Sequence, residues 1–445
     1  MKKNKIFVAG TWVMLAFGFS QLIRLGSNLI ITRLLEPQLF GIMAVVNVVI
    51  FGIVMFTDLG LWAFVVRHKD PENVHMLNAV WTIQVVRGWL VYMVIVIAAV
   101  YLIIGNQFWP SMFDGIYTDS QLPYLILVAG IASVISSYRS MASPVMHRKM
   151  EVGKLEAIEI ISQFAGLLVM LTWVWLYPSI WALLSAGMIS PLVSTILSFT
   201  LFSFKHKIVW DKAISKEVFD FSKWIVFASA LTFLFSQADR LYFGAKIDAV
   251  TLGIYSIAFM LVSTISSVAQ TLAEKIVFPV FSSQVHGDRL LLKEKYYKVR
   301  LYLDLPMFLI AGLIIALGPL LISTLYDERY ADAGWMMQIL VLSVVGNTLS
   351  AVSMECLSAL SVTKVRMWVM LIRTLSLFIG LPLFYYYQGF YGAVWAVAIN
   401  VWISLPLTYY TLEKNSVFDF LKEIRMLPFV GVGYLAGIFF ISLIS

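Results

Sequence analysis

Apolar runs follow one another along almost the whole chain, separated by short polar interruptions, and none of them alternates apolar and polar at every second position. A helix needs about 20 consecutive apolar residues to cross the hydrocarbon core of a bilayer. Runs of that length without period-two alternation predict transmembrane helices and not barrel strands. Thirteen spans are predicted, at 6–31, 41–65, 79–104, 122–141, 155–177, 180–203, 221–243, 250–272, 301–325, 335–357, 367–387, 390–410 and 427–444. No segment between them is long enough to fold as a soluble domain.

Two polar intrusions break this pattern in the same way. Phe19-Ser20-Gln21-Leu22-Ile23-Arg24-Leu25 lies inside the first apolar run, and Phe235-Ser236-Gln237-Ala238-Asp239-Arg240-Leu241 lies inside the seventh. At 100° per residue Ser20, Gln21, Arg24, Ser27 and Asn28 fall on one stripe of the first helix, and Thr232, Ser236, Gln237 and Arg240 on one stripe of the seventh. An arginine near the middle of a bilayer costs roughly 2.5–3.5 kcal/mol on insertion scales. Two of them at matching places point to a polar cavity shared by related bundles; pairing with Asp58 or Asp239, or snorkelling of Arg240 to the surface, are the plainer alternatives. Arg87 and Arg373, nearer span ends, are further cavity candidates.

The repeat extends further. Ser143 to Lys149 overlays Ser358 to Lys364, and Val218-Phe219-Asp220-Phe221 returns as Val417-Phe418-Asp419-Phe420. The expected organisation is all-α: two parallel six-helix repeats at 1–203 and 221–410, an amphipathic inner-surface linker at 204–220 and an additional span within 411–445.

Composition agrees, with 60% hydrophobic and 13% charged residues among 445, against roughly 25% charged in soluble domains. With the N-terminus inside, inner loops hold 24 of the 32 lysines and arginines, and outer loops only Arg33, Lys246 and Arg329. That asymmetry predicts a cytoplasmic N-terminus and puts the net charge of +7 against anionic lipid and not nucleic acid. Lys2, Lys3 and Lys5 precede a run too long for a cleaved signal, so an uncleaved first helix is expected. The basic stretch from Glu274 to Arg300 reads as an inner loop, either topogenic or a docking surface for a lipid headgroup or a partner enzyme.

Catalytic chemistry finds no support. There is no P-loop and no G-x-S-x-G elbow. Cys356 is alone, and His68, His75, His147, His206 and His286 form no metal-ligand spacing, so no catalytic residue, metal site or cofactor is expected. Asp58, Asp239, Asp304 and Glu355 lie in or near spans; each is a candidate for ion coupling, with helix packing or arginine pairing as the alternative.

The residues from Ser20 to Leu35 with Pro37 and Phe40-Gly41, then Asp58-Leu59-Gly60, then Leu77 to Gly88, closely resemble bacterial polysaccharide flippases and exporters. These are the Wzx-like members of the multidrug/oligosaccharidyl-lipid/polysaccharide superfamily, in the branch of the colanic and teichuronic acid exporters. The resemblance implies two six-helix lobes around a V-shaped cavity in the bacterial inner membrane. It implies alternating access and transfer of an undecaprenyl-pyrophosphate-linked oligosaccharide to the outer leaflet, with polysaccharide assembly enzymes as possible partners. Arg24 and Arg240 are then the positions suited to pyrophosphate, with Gln21, Asn28 and Gln237 toward sugar hydroxyls. Competing expectations are a cation or drug antiporter, against which two symmetric arginines argue, and a membrane polymerase or ligase, which needs reaction groups at the outer face, where the loop 105–121 has Asp114 and Asp119 but no Arg, Lys or His.

Overall fold

A computed structural model describes residues 2–110, 113–149, 151–200, 204–284 and 289–444. His286 and the end of the sixth predicted span lie outside the described residues. Among the described residues the chain is all-helical, without strands. The α-helices are α1 (Lys2–Leu34), α2 (Pro37–Phe56), α3 (Leu61–Arg67), α4 (Val74–Phe108), α5 (Leu122–Ser137), α6 (Ala142–Arg148), α7 (Val152–Leu176), α8 (Ile180–Thr200), α9 (Lys212–Lys246), α10 (Ala249–Leu272), α11 (Phe278–Ser282), α12 (Arg289–Leu325), α13 (Ala333–Leu340), α14 (Leu342–Ala359), α15 (Lys364–Lys414), α16 (Phe420–Ile424) and α17 (Pro428–Ile444).

Ten helices, or eleven with the bent pair α5–α6, are long and apolar enough to cross a membrane among the described residues. The bend between α5 and α6 is 61°. The remaining two predicted spans are α1, which starts at Lys2, and the second half of α15. At a rise of about 1.5 Å per residue, the 51 residues of α15 are more than twice what a bilayer core needs. Gly389 breaks it with φ +60°, a left-handed backbone that glycine adopts without a Cβ penalty. Predicted spans 367–387 and 390–410 flank that glycine.

The chain divides into two compact units. The first comprises Met1–Phe233 and Phe243–Leu252, the second Leu234–Tyr242 and Gly253–Ser445. In the first unit α7 packs on α1 and α8, and α5 on α4 and α8. A cluster of Leu61, Phe64, Val65, Met76, Trp81, Met141 and Val145 takes in Val218 from the start of α9, with Ile214 and Phe221 beside it. The linker expected as a helix at 204–220 is helical only in its second part. Residues 204–211 are non-helical, the helix begins at Lys212, and its apolar side is spent on this cluster. Asp211 caps α9 by accepting from the N–H groups of Ala213 and Ile214. His75 Nε2 lies 2.8 Å from its carboxylate and, with those backbone bonds, holds it below the usual carboxylate range.

In the second unit α12 is packed against α13, α14 and α17. Gly312 of α12 faces the backbone of Val430 and Tyr434, while Gly433 of α17 faces the backbone of Leu309. Small residues let these two helices approach closely where no hydrophobic drive separates protein from lipid. The basic stretch expected as a loop is mostly helical. A π-helical turn at Ala273–Val277 runs into α11, and α12 starts at Arg289, carrying Leu292, Tyr296, Arg300 and Leu303 as a buried stripe. Val417 is buried in the cluster that contains Phe281, Tyr296 and Cys356, so the repeated Val-Phe-Asp-Phe segment anchors a helix start in each unit.

Candidate functional site

The second unit holds a cavity of about 400 Å³ between α9, α10, α13, α14 and α15. Arg240 and Arg373 both line it, along with Gln237, Asp239, Ser263, Ser266, Ser267, Gln270, Asn347 and Asn400. Helical spacing explains the wall. Ser263, Ser266, Ser267 and Gln270 share one face of α10, and Ser343 and Asn347 one face at the start of α14. The two guanidinium groups are half-buried and differently held. Arg240 lies 4.6 Å over the Phe259 ring and donates from Nη1 to Gln237 Oε1 at 3.3 Å. Arg373 donates from Nε to Ser404 Oγ and from Nη2 to Ser350 Oγ, both at 2.8 Å. Asn400, 3% exposed, donates to the Arg373 carbonyl at 2.7 Å and to Ser376 Oγ at 2.6 Å, fixing that turn of α15.

Asp239, beside Arg240, is buried and accepts from the Tyr255 hydroxyl at 2.5 Å. The cavity thus brings two cations and one carboxylate to a wall of amides and hydroxyls. Ser266 Oγ is buried with no hydrogen-bond partner among the described residues. Such a site can bind an anion bearing several oxygens and, around it, groups that both donate and accept hydrogen bonds.

A smaller cavity of about 270 Å³ adjoins it, sharing Gln270, Asn347 and Arg373. It adds Glu274, from the π-helical turn, and Glu355. Glu355 is 8% exposed and bridged by Arg366 at 2.8 Å. Asp304 lies elsewhere, bonded to Arg300 at 2.8 Å. Of the four acidic candidates, Asp304 and Glu355 are engaged by arginines, Asp239 by a tyrosine, and Asp58 by the Gly60 N–H and the Ser229 hydroxyl.

In the first unit Arg87 and Gln84 line a cavity of about 330 Å³ with Ser133, Ser136 and Ser137. Arg87 is tethered there: Nε donates to the Thr57 carbonyl at 2.6 Å and Nη2 to the Val54 carbonyl at 2.9 Å, closing the end of α2. Arg24 is exposed on α1, and Arg24, Gln21 and Asn28 line none of these cavities. Ser20 Oγ donates to Gln163 Oε1 at 2.7 Å, tying the polar stripe of α1 to α7. Of the seven cavity candidates, the structure brings Arg240, Gln237 and Arg373 together in one place. Gln270, Asn347 and Asn400 were not anticipated; each is an amide within an apolar run, and Gln270 and Asn347 repeat at helical spacing with serines. Among the described residues no cluster of His, Cys, Asp and Glu can hold a metal ion.

Solved structures with the same fold include the lipid II flippase MurJ in an inward closed conformation, at a TM-score of 0.69 and 12% identity over 97% of this chain and 99% of that one. An inward-facing multidrug resistance MATE family transporter of the MOP superfamily matches at a TM-score of 0.64 and 12% identity, over 89% of this chain and 94% of that one. In sequence the chain is 21% identical to an uncharacterized membrane protein in the cps region of Klebsiella pneumoniae, over 97% of this chain and 86% of that protein. It is 18% identical to the teichuronic acid biosynthesis protein TuaB of Bacillus subtilis, over 64% of this chain and 57% of TuaB. It is also 18% identical to the lipopolysaccharide biosynthesis protein WzxC of Escherichia coli, over 73% of this chain and 65% of WzxC. Residues 30–335 match the family model described as polysaccharide biosynthesis protein, and with well over half its length covered this multi-pass membrane protein belongs to that family.

Proposed function

We propose that the protein is a flippase that carries a lipid-linked oligosaccharide, the repeat unit of a surface polysaccharide, from the inner to the outer leaflet. The observation that carries this reading is the meeting of Arg240 and Arg373 in one cavity walled by amides and hydroxyls. A pyrophosphate offers several oxygens to two planar guanidinium forks. Gln237, Gln270 and Asn347 are chemically suited to sugar hydroxyls. The polyprenyl tail stays in lipid, so only the headgroup needs polar walls, and catalysis of bond-making is not required. Kinship with polysaccharide biosynthesis proteins and a MurJ-like fold support the same substrate class.

Further parts of the reading are ours as well. Segments 1–203 and 221–410 are taken as two six-helix repeats working by alternating access, with 204–220 joining them and 411–445 added. The N-terminus is taken as cytoplasmic, in a bacterial inner membrane, and Arg24 as a first contact for the diphosphate. Coupling to a proton or sodium gradient is proposed, and so is contact with polysaccharide assembly enzymes.

The test is replacement of Arg24, Arg240 and Arg373 by alanine, one at a time, in cells whose surface glycan depends on this protein. Arg240→Ala and Arg373→Ala should abolish export while the lipid-linked repeat unit accumulates on the cytoplasmic leaflet. Full export by both variants, present in the membrane at normal levels, would overturn the assignment of the cavity. Full export by Arg24→Ala removes that residue from the route.

A further inference from the structure

We propose that the buried cluster of Arg300, Asp304 and Glu423 in the second unit is a proton-binding site, with the proton carried by Asp304. The three side chains are 2%, 1% and 2% exposed. Arg300 of α12 bonds Asp304 one turn further along through Nε at 2.8 Å, and Glu423 of α16 through Nη1. One buried cation therefore faces two buried carboxylates. An uncompensated charge in such surroundings is strongly disfavoured, and the group responds by taking up a proton.

The hydrogen bonds say which carboxylate takes it. Glu423 receives donors on both oxygens: Tyr296 at 2.9 Å and Tyr297 at 3.3 Å on Oε1, and Arg300 on Oε2. That arrangement favours the ionised form. Asp304 receives Arg300 on Oδ2 alone; its Oδ1 and the Arg300 Nη2 are both buried without a hydrogen-bond partner among the described residues. With both Glu423 oxygens occupied by donors, Oδ1 of Asp304 is the carboxylate oxygen of the cluster left open to a proton.

The other charged groups around the cluster do not supply the missing positive charge. Tyr296 accepts from Arg300 at 2.9 Å and lies 2.9 Å from Ser353 of α14. Tyr409 of α15 is close enough to Arg300 to interact with its charge. Asp419 stands between Lys293 at 3.6 Å and Lys422 at 3.8 Å, and these three are 27–50% exposed, where water and salt screen them. Lys422 lies 5.5 Å over the Tyr297 ring, outside the core.

The site stands where α12, α14, α15 and α16 meet, two residues before Pro306, which has no N–H to give the helix. Loss of the proton leaves two carboxylates on one guanidinium and loosens α16 from α12. The inference is independent of which molecule the protein transports.

The test is infrared spectroscopy of the purified full chain in lipid nanodiscs at neutral pH. The carbonyl band of a protonated carboxyl group should be present, and difference spectra should show it lost in Asp304→Asn. It should be lost in Glu423→Gln too, because removing either negative charge leaves Arg300 balanced without a proton. No such band in the wild-type-minus-D304N difference, or a band that survives in E423Q, would overturn the proposal. Should D304N fail to fold, E423Q and amide hydrogen exchange carry the test. After correction for intrinsic rates, exchange across residues 419–427 should rise with pH in the wild type, by up to about tenfold per pH unit for one released proton, and stay flat in E423Q. A flat wild-type profile would overturn the proposal as well.

Discussion

Arg373 is held by two serine hydroxyls and an asparagine-braced carbonyl, whereas Arg240 rests on an aromatic face. The forked geometry at Arg373 is one that an ammonium group does not reproduce. Losing one charge-assisted hydrogen bond is worth about 1.5–3 kcal/mol, so Arg373→Lys should cut export roughly 10- to 100-fold, read as glycan reaching the outer leaflet. Both arginines stood out in the sequence as charges within or at the edge of apolar runs. Their meeting did not, because it depends on how four helices pack around α10. His206 makes a second case. Its Nε2 accepts from the Met141 N–H at 3.0 Å, its ring stacks on Trp81 at 5.2 Å, and burial pushes its pKa down to about 4 from the ordinary 6.5. The unfolded chain therefore binds the extra proton first. The stabilisation is fully present above pH 6.5 and drains away as pH falls toward 4. The thermal midpoint of the wild type should drop more over that window than that of His206→Gln, whose amide oxygen still accepts but does not titrate.

At the scale of elements, the approach of α12 and α17 rests on glycines. A Cβ at Gly433 would meet the Leu309 backbone, while one at Gly431 would meet nothing within 4 Å. Overpacking costs about 1–3 kcal/mol, so Gly433→Val should lower the melting point of the purified protein and Gly431→Ala should leave it unchanged. Hydropathy located the ten or eleven helices long and apolar enough to cross a membrane among the described residues, and it separated the segments on either side of Gly389. The stretch 274–300 differs: its charge predicts a loop, and the described residues there are mostly helical. Leu292, Tyr296, Arg300 and Leu303 recur at helical spacing there, and that periodicity was the signal for a helix continuing beyond the apolar run. In the linker, Ile214, Val218 and Phe221 recur at helical spacing, and the structure adds what they pack on, the cluster around Trp81 and Met141.

For the whole molecule, the proposed gradient coupling has a direct check. Export should stop when proton and sodium gradients are both collapsed, and persistence of export would remove the coupling. The two cavities of the second unit bear on this from another side. They share Gln270, Asn347 and Arg373, so the Arg373 side chain lines both. The group proposed to grip a diphosphate is thus common to two adjoining cavities. Trimming it to alanine would join them into a longer column of water, and proteoliposomes carrying that variant should leak protons faster than those carrying the wild type. Tight recognition and a sealed barrier would in that case be two properties of a single guanidinium.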